Sequence, residues 1–130
     1  MPAPLVATYD AQTRIDAHTA LLTNIDSGSG PGTIKTYDAA DVLLCTHTLT
    51  DPGGVVNGTT GQFTITPASD TVNAVASGTA AYCVVANSAG TARLSLPAQQ
   101  GTAPVSGKAV FNSLLLVSGQ PVQAISLVIG

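Results

Sequence analysis

Two histidines and two cysteines are the side chains of this 130-residue sequence that could act as bases or nucleophiles near neutral pH. Cys45 and His47 are two residues apart in an alternating segment, so a strand would place both on one face. No acidic side chain is in place to orient such a pair, and His18 falls on the apolar stripe of a helical pattern. We therefore interpret His18 as a packed side chain whose ring nitrogens are satisfied and His47 as a satisfied or half-exposed strand histidine, and we predict no catalytic residue.

Cys45 and Cys83 each lie inside an apolar or alternating run. Two interpretations stay open: both are small buried hydrophobic side chains, or they form one disulfide between neighbouring strands. A metal site would need more cysteine or histidine ligands than the sequence supplies nearby. We expect neither a metal nor a cofactor.

The seven acidic residues, all aspartates, favour turns over acid–base chemistry. Asp38 and Asp41 bracket a short turn, and Asp26, Asp51 and Asp70 lie at loop edges, where aspartate bonds the local backbone. No loop carries the alternating aspartates that are typical of a calcium site. The sequence also lacks a phosphate-binding loop, in which a glycine-rich segment is followed by lysine and then serine or threonine. The sequence thus predicts that the protein is not an enzyme.

The scarcity of charge is the most unusual feature of the composition. Only 8% of residues are charged, with a net charge of −3 and 45% hydrophobic residues, against about 25% charged residues in ordinary domains. This balance excludes a basic nucleic-acid-binding surface, and no apolar run reaches the roughly 18 residues of a membrane span. The first residues lack a secretory signal, so we expect synthesis in a cytoplasm.

The first quarter of the sequence has a helical period. Apolar residues recur at helical spacing between residues 8 and 26, while Gln12, Asp16, Thr19 and Thr23 fall on the opposite, solvated face. Either Thr8 or Asp10 can cap the start of this helix, and Gly28 suits a left-handed position after its end. We assign residues 1–32 to an N-terminal arm, the helix and a Gly-rich linker.

Residues 33–130 have the pattern of a β-domain. Short strands recur near every ten residues with turn signals between them: 33–38, 42–49, 62–66, a weak 71–76, 79–87, 91–96, 109–117 and 122–129. We place loops at 51–61 and 97–107, and a final hairpin at the last two strands. The expected fold is mainly β: an antiparallel β-sandwich or barrel of seven to eight strands, preceded by one α-helix.

Several segments resemble a family of small structural proteins of tailed bacteriophages. They are the stretch from Asp26 to Tyr37, Leu49 to Pro52, Gly78 to Tyr82, Asn87 to Thr91 and the apolar closing segment. The resemblance implies a head decoration, or cement, protein on the virion capsid surface, bound to the major capsid protein and homo-oligomeric, often trimeric. Relatives often carry Trp where this sequence has Tyr82, and no functional residue is implied.

Three hypotheses follow for the function. The first is a capsid decoration protein, made in the host cytoplasm, that stabilises the head shell. The second is a tail, neck or fibre component of the virion. The third is a surface- or glycan-binding β-module, which the long loops do not favour because they contain no aromatic residue.

Overall fold

The structure is a computed structural model that describes residues 10–69, 71–103 and 105–129, without the side chains of residues 124–126. Within these residues one helix precedes ten strands, more than the seven to eight strands that the sequence predicts. The elements in chain order are α1 (Ala11–Ile25), β1 (Thr33–Tyr37), β2 (Leu43–Val56), β3 (Phe63–Pro67), β4 (Thr71–Asn73), β5 (Gly78–Thr79), β6 (Tyr82–Ala86), β7 (Ala92–Gln100), β8 (Lys108–Phe111), β9 (Leu115–Leu116) and β10 (Pro121–Ile129).

Seven of the strands close into a barrel, so the mainly β expectation is confirmed and its barrel alternative is the one observed. The order around the barrel is β3-β2-β1-β6-β7-β8-β10, and β10 pairs with β3 to close the ring. All of these pairs are antiparallel except β7 with β8, which is parallel. Closure leaves none of these seven strands as an open sheet edge along its whole length.

The barrel interior is built from rows of side chains that face each other across neighbouring strands. His47, Ile34 and Val85 form one such row, and Cys45, Thr36 and Cys83 form the next. All six side chains are buried. The alternation of buried and partly exposed residues along β1 is the period of two that the sequence predicts.

Strand β2 is longer than the sequence predicts. Residues 51–54 read as the end of a strand, yet β2 continues through them to Val56 and transfers from β1 to β3 at an irregularity after Leu49. Glycine makes this transfer possible, since a Cβ at Gly54 would lie 2.5 Å from the Phe63 ring. The predicted loop therefore shrinks to residues 57–62.

The predicted final hairpin is wrong in part. β8 and β10 do pair antiparallel, but β8 ends at Phe111, and Leu115–Leu116 pairs with Gly78–Thr79 in a separate two-stranded sheet. The parallel strands β7 and β8 are joined by a crossover, in which the Gly101 N–H donates to the Phe111 carbonyl oxygen and the Gly107 N–H donates to the Val128 carbonyl oxygen. A parallel neighbour needs such a crossover, which turn signals alone do not reveal.

Helix α1 begins at the predicted cap. The Asp10 carboxylate accepts a hydrogen bond of 2.8 Å from the Thr13 backbone N–H, and this contact lowers the pKa of Asp10. The predicted solvated face is exposed, and Gly28 has the expected positive φ of 107°. The alternative cap, Thr8, lies outside the described residues.

Two glycines outside the helix lie close against it, in addition to the contacts made by the buried helix side chains His18 and Ile25. A Cβ at Gly61 would lie 2.6 Å from Arg14 Cβ, and one at Gly32 would lie 3.1 Å from the Ile25 carbonyl oxygen. The Asp26 carboxylate accepts a hydrogen bond of 2.8 Å from the Gly53 backbone N–H. These contacts fix α1 against one end of the barrel, which we call the helix end (residues 10–32, 50–62 and 87–91).

The opposite end of the barrel, which we call the far end, consists of residues 38–42, 71–81 and 112–121. Ala74, Ala80 and Leu116 are buried there and join the barrel core. Backbone hydrogen bonds tie the segments together: Val75 N–H to the Leu44 carbonyl oxygen, and Gly119 N–H to the Ala74 carbonyl oxygen. The two ends therefore differ in construction, one covered by a helix and the other by short extended segments.

Candidate functional site

A cleft of about 380 Å³ opens at the far end, where β9 and the turn that follows it meet the start of β10. Its walls combine aliphatic side chains with neutral hydrogen-bonding groups, and none of the lining residues carries a charge. They are Thr71, Asn112, Ser113, Leu115, Leu116, Val117, Gln120, Pro121 and Gln123. Such a lining suits an uncharged ligand with apolar groups better than an ion.

The far end also carries most of the exposed large hydrophobic side chains of the described residues. Among the described residues, five large hydrophobic side chains are exposed, and four of them belong to this end: Val42, Val75, Leu115 and Val117. The fifth, Val55, lies in the part of β2 that pairs with β3. Apolar surface concentrated at one end marks a contact site more often than scattered single residues do.

The charges of the far end are two aspartates in the β1–β2 turn. Asp38 accepts hydrogen bonds of 2.9 Å from the Ala40 and Val42 backbone N–H groups, as expected for a turn. Asp41, with φ of 65°, accepts a bond of 2.7 Å from the Tyr82 hydroxyl. The neighbouring carboxylate stabilises the neutral phenol and raises the pKa of Tyr82 to about 12.

Tyr82 is also held by a second tyrosine. Its ring stacks on Tyr37, with 5.3 Å between centroids and 15° between planes. The stack and the hydrogen bond to Asp41 together fix the Tyr82 side chain. The two aspartates thus have structural roles: Asp38 stabilises the turn and Asp41 holds Tyr82.

His18 has the packed environment that the sequence predicts. It is buried between helix and barrel, its Nδ1–H donates a hydrogen bond of 2.5 Å to the Gly61 carbonyl oxygen, and its ring lies 5.9 Å from that of Phe63. The carbonyl can only accept, so Nδ1 carries a proton. His18 thus anchors α1 to the barrel.

The other three side chains that could act as a base or a nucleophile point into the barrel interior. His47, Cys45 and Cys83 are each fully buried, so a substrate has no access to them in the folded protein. Cys45 and His47 lie on one face of β2, as predicted, and that face points into the core.

The two cysteines are free thiols, which decides between the two interpretations left open by the sequence. Each faces Thr36 from an opposite side, so two strand spacings of about 4.8 Å separate them. A disulfide needs Cα atoms within about 7 Å. Burial raises the pKa of both thiols, that of Cys83 to about 12. The Thr36 hydroxyl, 3.3 Å from the Cys83 sulfur, opposes this rise by hydrogen bonding.

Acidic and metal-binding groups do not converge in the described part of the chain. No three His, Cys, Asp or Glu side chains within it are grouped as metal ligands. Asp26 bonds the distant Gly53 N–H rather than its local backbone, and Asp70 lies outside the described residues.

No described helix has both the length and the hydrophobicity to cross a bilayer.

Comparisons with family models, curated proteins and solved structures gave no match. The far-end cleft is therefore assessed from its own geometry and chemistry.

The sequence did not reveal the cleft. Leu115 and Val117 lie in the segment 109–117, which the sequence predicts as one barrel strand with a buried face. The available signal is the Asn112-Ser113 pair, two polar residues at which β8 ends and the chain leaves the barrel wall. The run Leu114-Leu115-Leu116-Val117 then does not alternate with polar residues, and two of its four side chains are exposed.

Proposed function

We propose that the protein is a structural component of a bacteriophage virion, a decoration or cement protein that binds the capsid surface and stabilises the head shell. The observation that carries this proposal is which side chains the fold buries and which it exposes. The nucleophilic thiols and His47 are inside the barrel, whereas the exposed surface is poor in charge and apolar at one end. The resemblance of the sequence to small phage structural proteins supports the same function.

A charge-poor surface favours standing contacts between proteins. Removing water from threonine, serine or alanine costs far less free energy than removing it from a lysine or an aspartate. None of the four basic residues lies at the far end: Arg14 belongs to the helix, Lys35 to β1, Arg93 to β7 and Lys108 to β8. The far end can therefore be covered by another protein without burying an unpaired cation.

The proposed mechanism is preferential binding. A protein that binds the assembled shell, and not its separated subunits, shifts the equilibrium toward the shell by mass action. The partners are the major capsid protein and further copies of this chain, and no bond is made or broken. The protein is accordingly proposed to be a non-enzymatic component.

Reconstitution on shells tests the function. Capsid shells assembled without this chain from the major capsid protein of the same genome are incubated with the purified protein, and bound copies are located by electron microscopy. We expect on the order of hundreds of copies per shell, in lattice positions. About six to twelve copies at one vertex would instead support the neck or tail alternative, since closed rings set the copy number there. A chain that does not bind these shells would contradict the decoration role.

A glycan-binding function has less support from the site. The residues that line the cleft include no aromatic side chain on which a sugar ring could stack. Tyr37 and Tyr82 stack on each other, and the Tyr82 hydroxyl is bonded to Asp41.

A further inference from the structure

We propose that Asn57 and Gly58 form a self-modification site, at which the folded chain converts Asn57 into aspartate and iso-aspartate without a second protein. The site lies in the loop 57–62 at the helix end, away from the far-end cleft. The proposal goes beyond the virion role and does not depend on it. Three features support it: an available nucleophile, a polarised carbonyl group and the part that this loop plays in holding α1.

The nucleophile is the backbone nitrogen of Gly58. Asn57 is the one asparagine of the sequence that a glycine follows, so the next nitrogen carries no neighbouring side chain that would hinder its approach. Both residues are exposed, and a Cβ at Gly58 would meet no atom within 4 Å. The N–H groups of residues 59–62 all donate hydrogen bonds within the loop. Within the described residues, the Gly58 N–H donates to no group and stays available.

The electrophile is the side-chain carbonyl carbon of Asn57, whose oxygen has two hydrogen-bond donors. Oδ1 accepts bonds of 2.8 Å from the Thr59 N–H and 2.9 Å from the Thr60 N–H. Backbone N–H groups can only donate, which assigns the oxygen rather than the amide nitrogen to this position. Two backbone N–H groups on one carbonyl oxygen are the arrangement that stabilises the oxyanion in acyl transfer. The fold therefore polarises this carbonyl group beside an available nucleophile.

The reaction needs water as its only co-reactant. The Gly58 nitrogen loses its proton to solvent and attacks Asn57 Cγ, which places a negative charge on Oδ1. When this oxyanion collapses, the Cγ–Nδ2 bond breaks, and Nδ2 takes a proton and leaves as ammonia. The product is a five-membered succinimide. Water then opens the ring: attack at Cγ gives aspartate, and attack at the backbone carbonyl carbon gives iso-aspartate. Either product adds one negative charge, and nothing is oxidised or reduced.

The modified loop is the one that holds α1 on the barrel. The Thr60 carbonyl oxygen accepts a hydrogen bond of 3.0 Å from Arg14 Nε, and the Gly61 carbonyl oxygen accepts one from His18 Nδ1. Iso-aspartate leads the main chain through the former side chain and so inserts one methylene group into the loop. Since β2 and β3 fix the two ends of the loop, the extra length displaces these carbonyl groups. We expect the iso-aspartyl chain to hold α1 less tightly.

Ageing of the purified chain at mildly alkaline pH tests the site. Peptide mapping by mass spectrometry follows the gain of about 1 Da when the amide becomes a carboxyl group, and an iso-aspartyl methyltransferase identifies the iso-aspartate. Asn87 is the control within the chain: its Oδ1 also accepts two backbone N–H groups, but it is buried and precedes Ser88. We expect both products at Asn57 and no gain at Asn87. No modification of Asn57, or equal modification of both, would overturn the proposal.

Two rate comparisons separate the nucleophile from the two donors. Gly58→Ala places its Cβ in open space but hinders the attack, so the modification of Asn57 should slow by about tenfold or more. The same wild-type chain unfolded in urea gives the rate without the fixed donors. We expect the folded chain to react about tenfold faster than the unfolded one, less than in a buried oxyanion hole because water surrounds this loop. An unchanged rate in Gly58→Ala, or faster reaction of the unfolded chain, would contradict the mechanism.

Hydrogen exchange of α1 tests the consequence. Asn57→Asp is the matched control, because it carries the new charge on an ordinary backbone and its carboxylate can still accept from Thr59 and Thr60. We expect faster amide exchange of residues 11–25 in the chain enriched in iso-aspartate, and exchange like that of the fresh chain in Asn57→Asp. Equal exchange in the aged and fresh chains would overturn the link to α1. Equally fast exchange in Asn57→Asp would contradict the role of the inserted methylene group.

Discussion

At the scale of single residues, burial separates the two cysteines and His47 from solvent. Cys45, Cys83 and His47 share the barrel interior with Ile34 and Val85. A low dielectric disfavours the thiolate, which is the nucleophilic form of cysteine. The residues that the sequence offers for chemistry thus serve as core side chains.

Thiol modification tests this account of the cysteines. We expect neither Cys45 nor Cys83 to react with iodoacetamide at pH 8 in the folded protein, and both to react once urea unfolds it. Mass spectrometry gives the number of modified thiols in each condition. Rapid modification of either cysteine without denaturant would contradict the buried positions.

The raised pKa of Cys83 also predicts how stability depends on pH. Its pKa is about 12 in the folded protein against 9.0 for an ordinary thiol, so the folded state retains the proton more strongly. The stabilising effect is complete below about pH 9 and is lost as the pH rises toward 12. Urea unfolding between pH 8 and 11 should show a falling free energy, and Cys83→Ala should flatten that fall. An equally steep fall in the variant would contradict the assignment.

Tyr82 gives a second titration that can be measured directly. Absorbance at alkaline pH should show one tyrosine ionising near pH 12, because its hydroxyl donates to the Asp41 carboxylate. Asp41→Asn removes the negative charge and should bring the pKa of Tyr82 back toward its ordinary value of 10.0. Tyr82→Phe identifies the signal by removing it. An unchanged titration in Asp41→Asn would show that the carboxylate is not the cause.

At the scale of elements, the attachment of α1 depends on close backbone approach at glycine. Gly61 has φ of 77°, and an added Cβ would lie 2.6 Å from Arg14 Cβ in the helix. Gly90 has nearly the same backbone, with φ of 83°, but open space around it. The two positions therefore separate backbone strain from the loss of helix packing.

We expect Gly61→Ala to destabilise the fold more than Gly90→Ala. Both variants carry a left-handed alanine, which costs about 1–2 kcal/mol, and only Gly61→Ala forces the helix away, at a further cost of about 1–3 kcal/mol. Urea unfolding gives the two free energies. Equal losses in the two variants would contradict the helix contact.

The sequence predicted those elements whose signals are local. The period of α1, its Asp10 cap and the alternation in β1 all depend on residues within a few positions of each other. The parallel β7–β8 pair, the transfer of β2 from β1 to β3 and the separate β5–β9 sheet depend on distant partners. A single sequence contains no record of such partners, so the far-end cleft, which they create, could not be predicted.

At the scale of the whole molecule, the fold combines a closed barrel with a far end whose charged groups, among the described residues, are Asp38 and Asp41. Closure satisfies the strand edges around the ring and confines the potentially reactive groups to the core. Among the described residues, four of the five exposed large hydrophobic side chains belong to the far end: Val42, Val75, Leu115 and Val117. Under the proposed function, this surface acts by binding other proteins.

The far end should therefore decide attachment. Val75→Asp at the far end and Val55→Asp outside it alter side chains of similar exposure, 66% and 64%. We expect both variants to fold, and only Val75→Asp to lose shell binding, by about tenfold or more, because a charge must then be desolvated in the contact. Co-sedimentation with shells measures the binding. Equal binding by the two variants would show that the far end is not the attachment surface.

Calorimetry of capsid shells with and without the purified chain tests the central claim most directly. If the protein stabilises the shell by preferential binding, the temperature at which the shell melts rises as protein is added and stops rising when the lattice sites are full. Saturated lattice sites with an unchanged melting temperature would contradict the account.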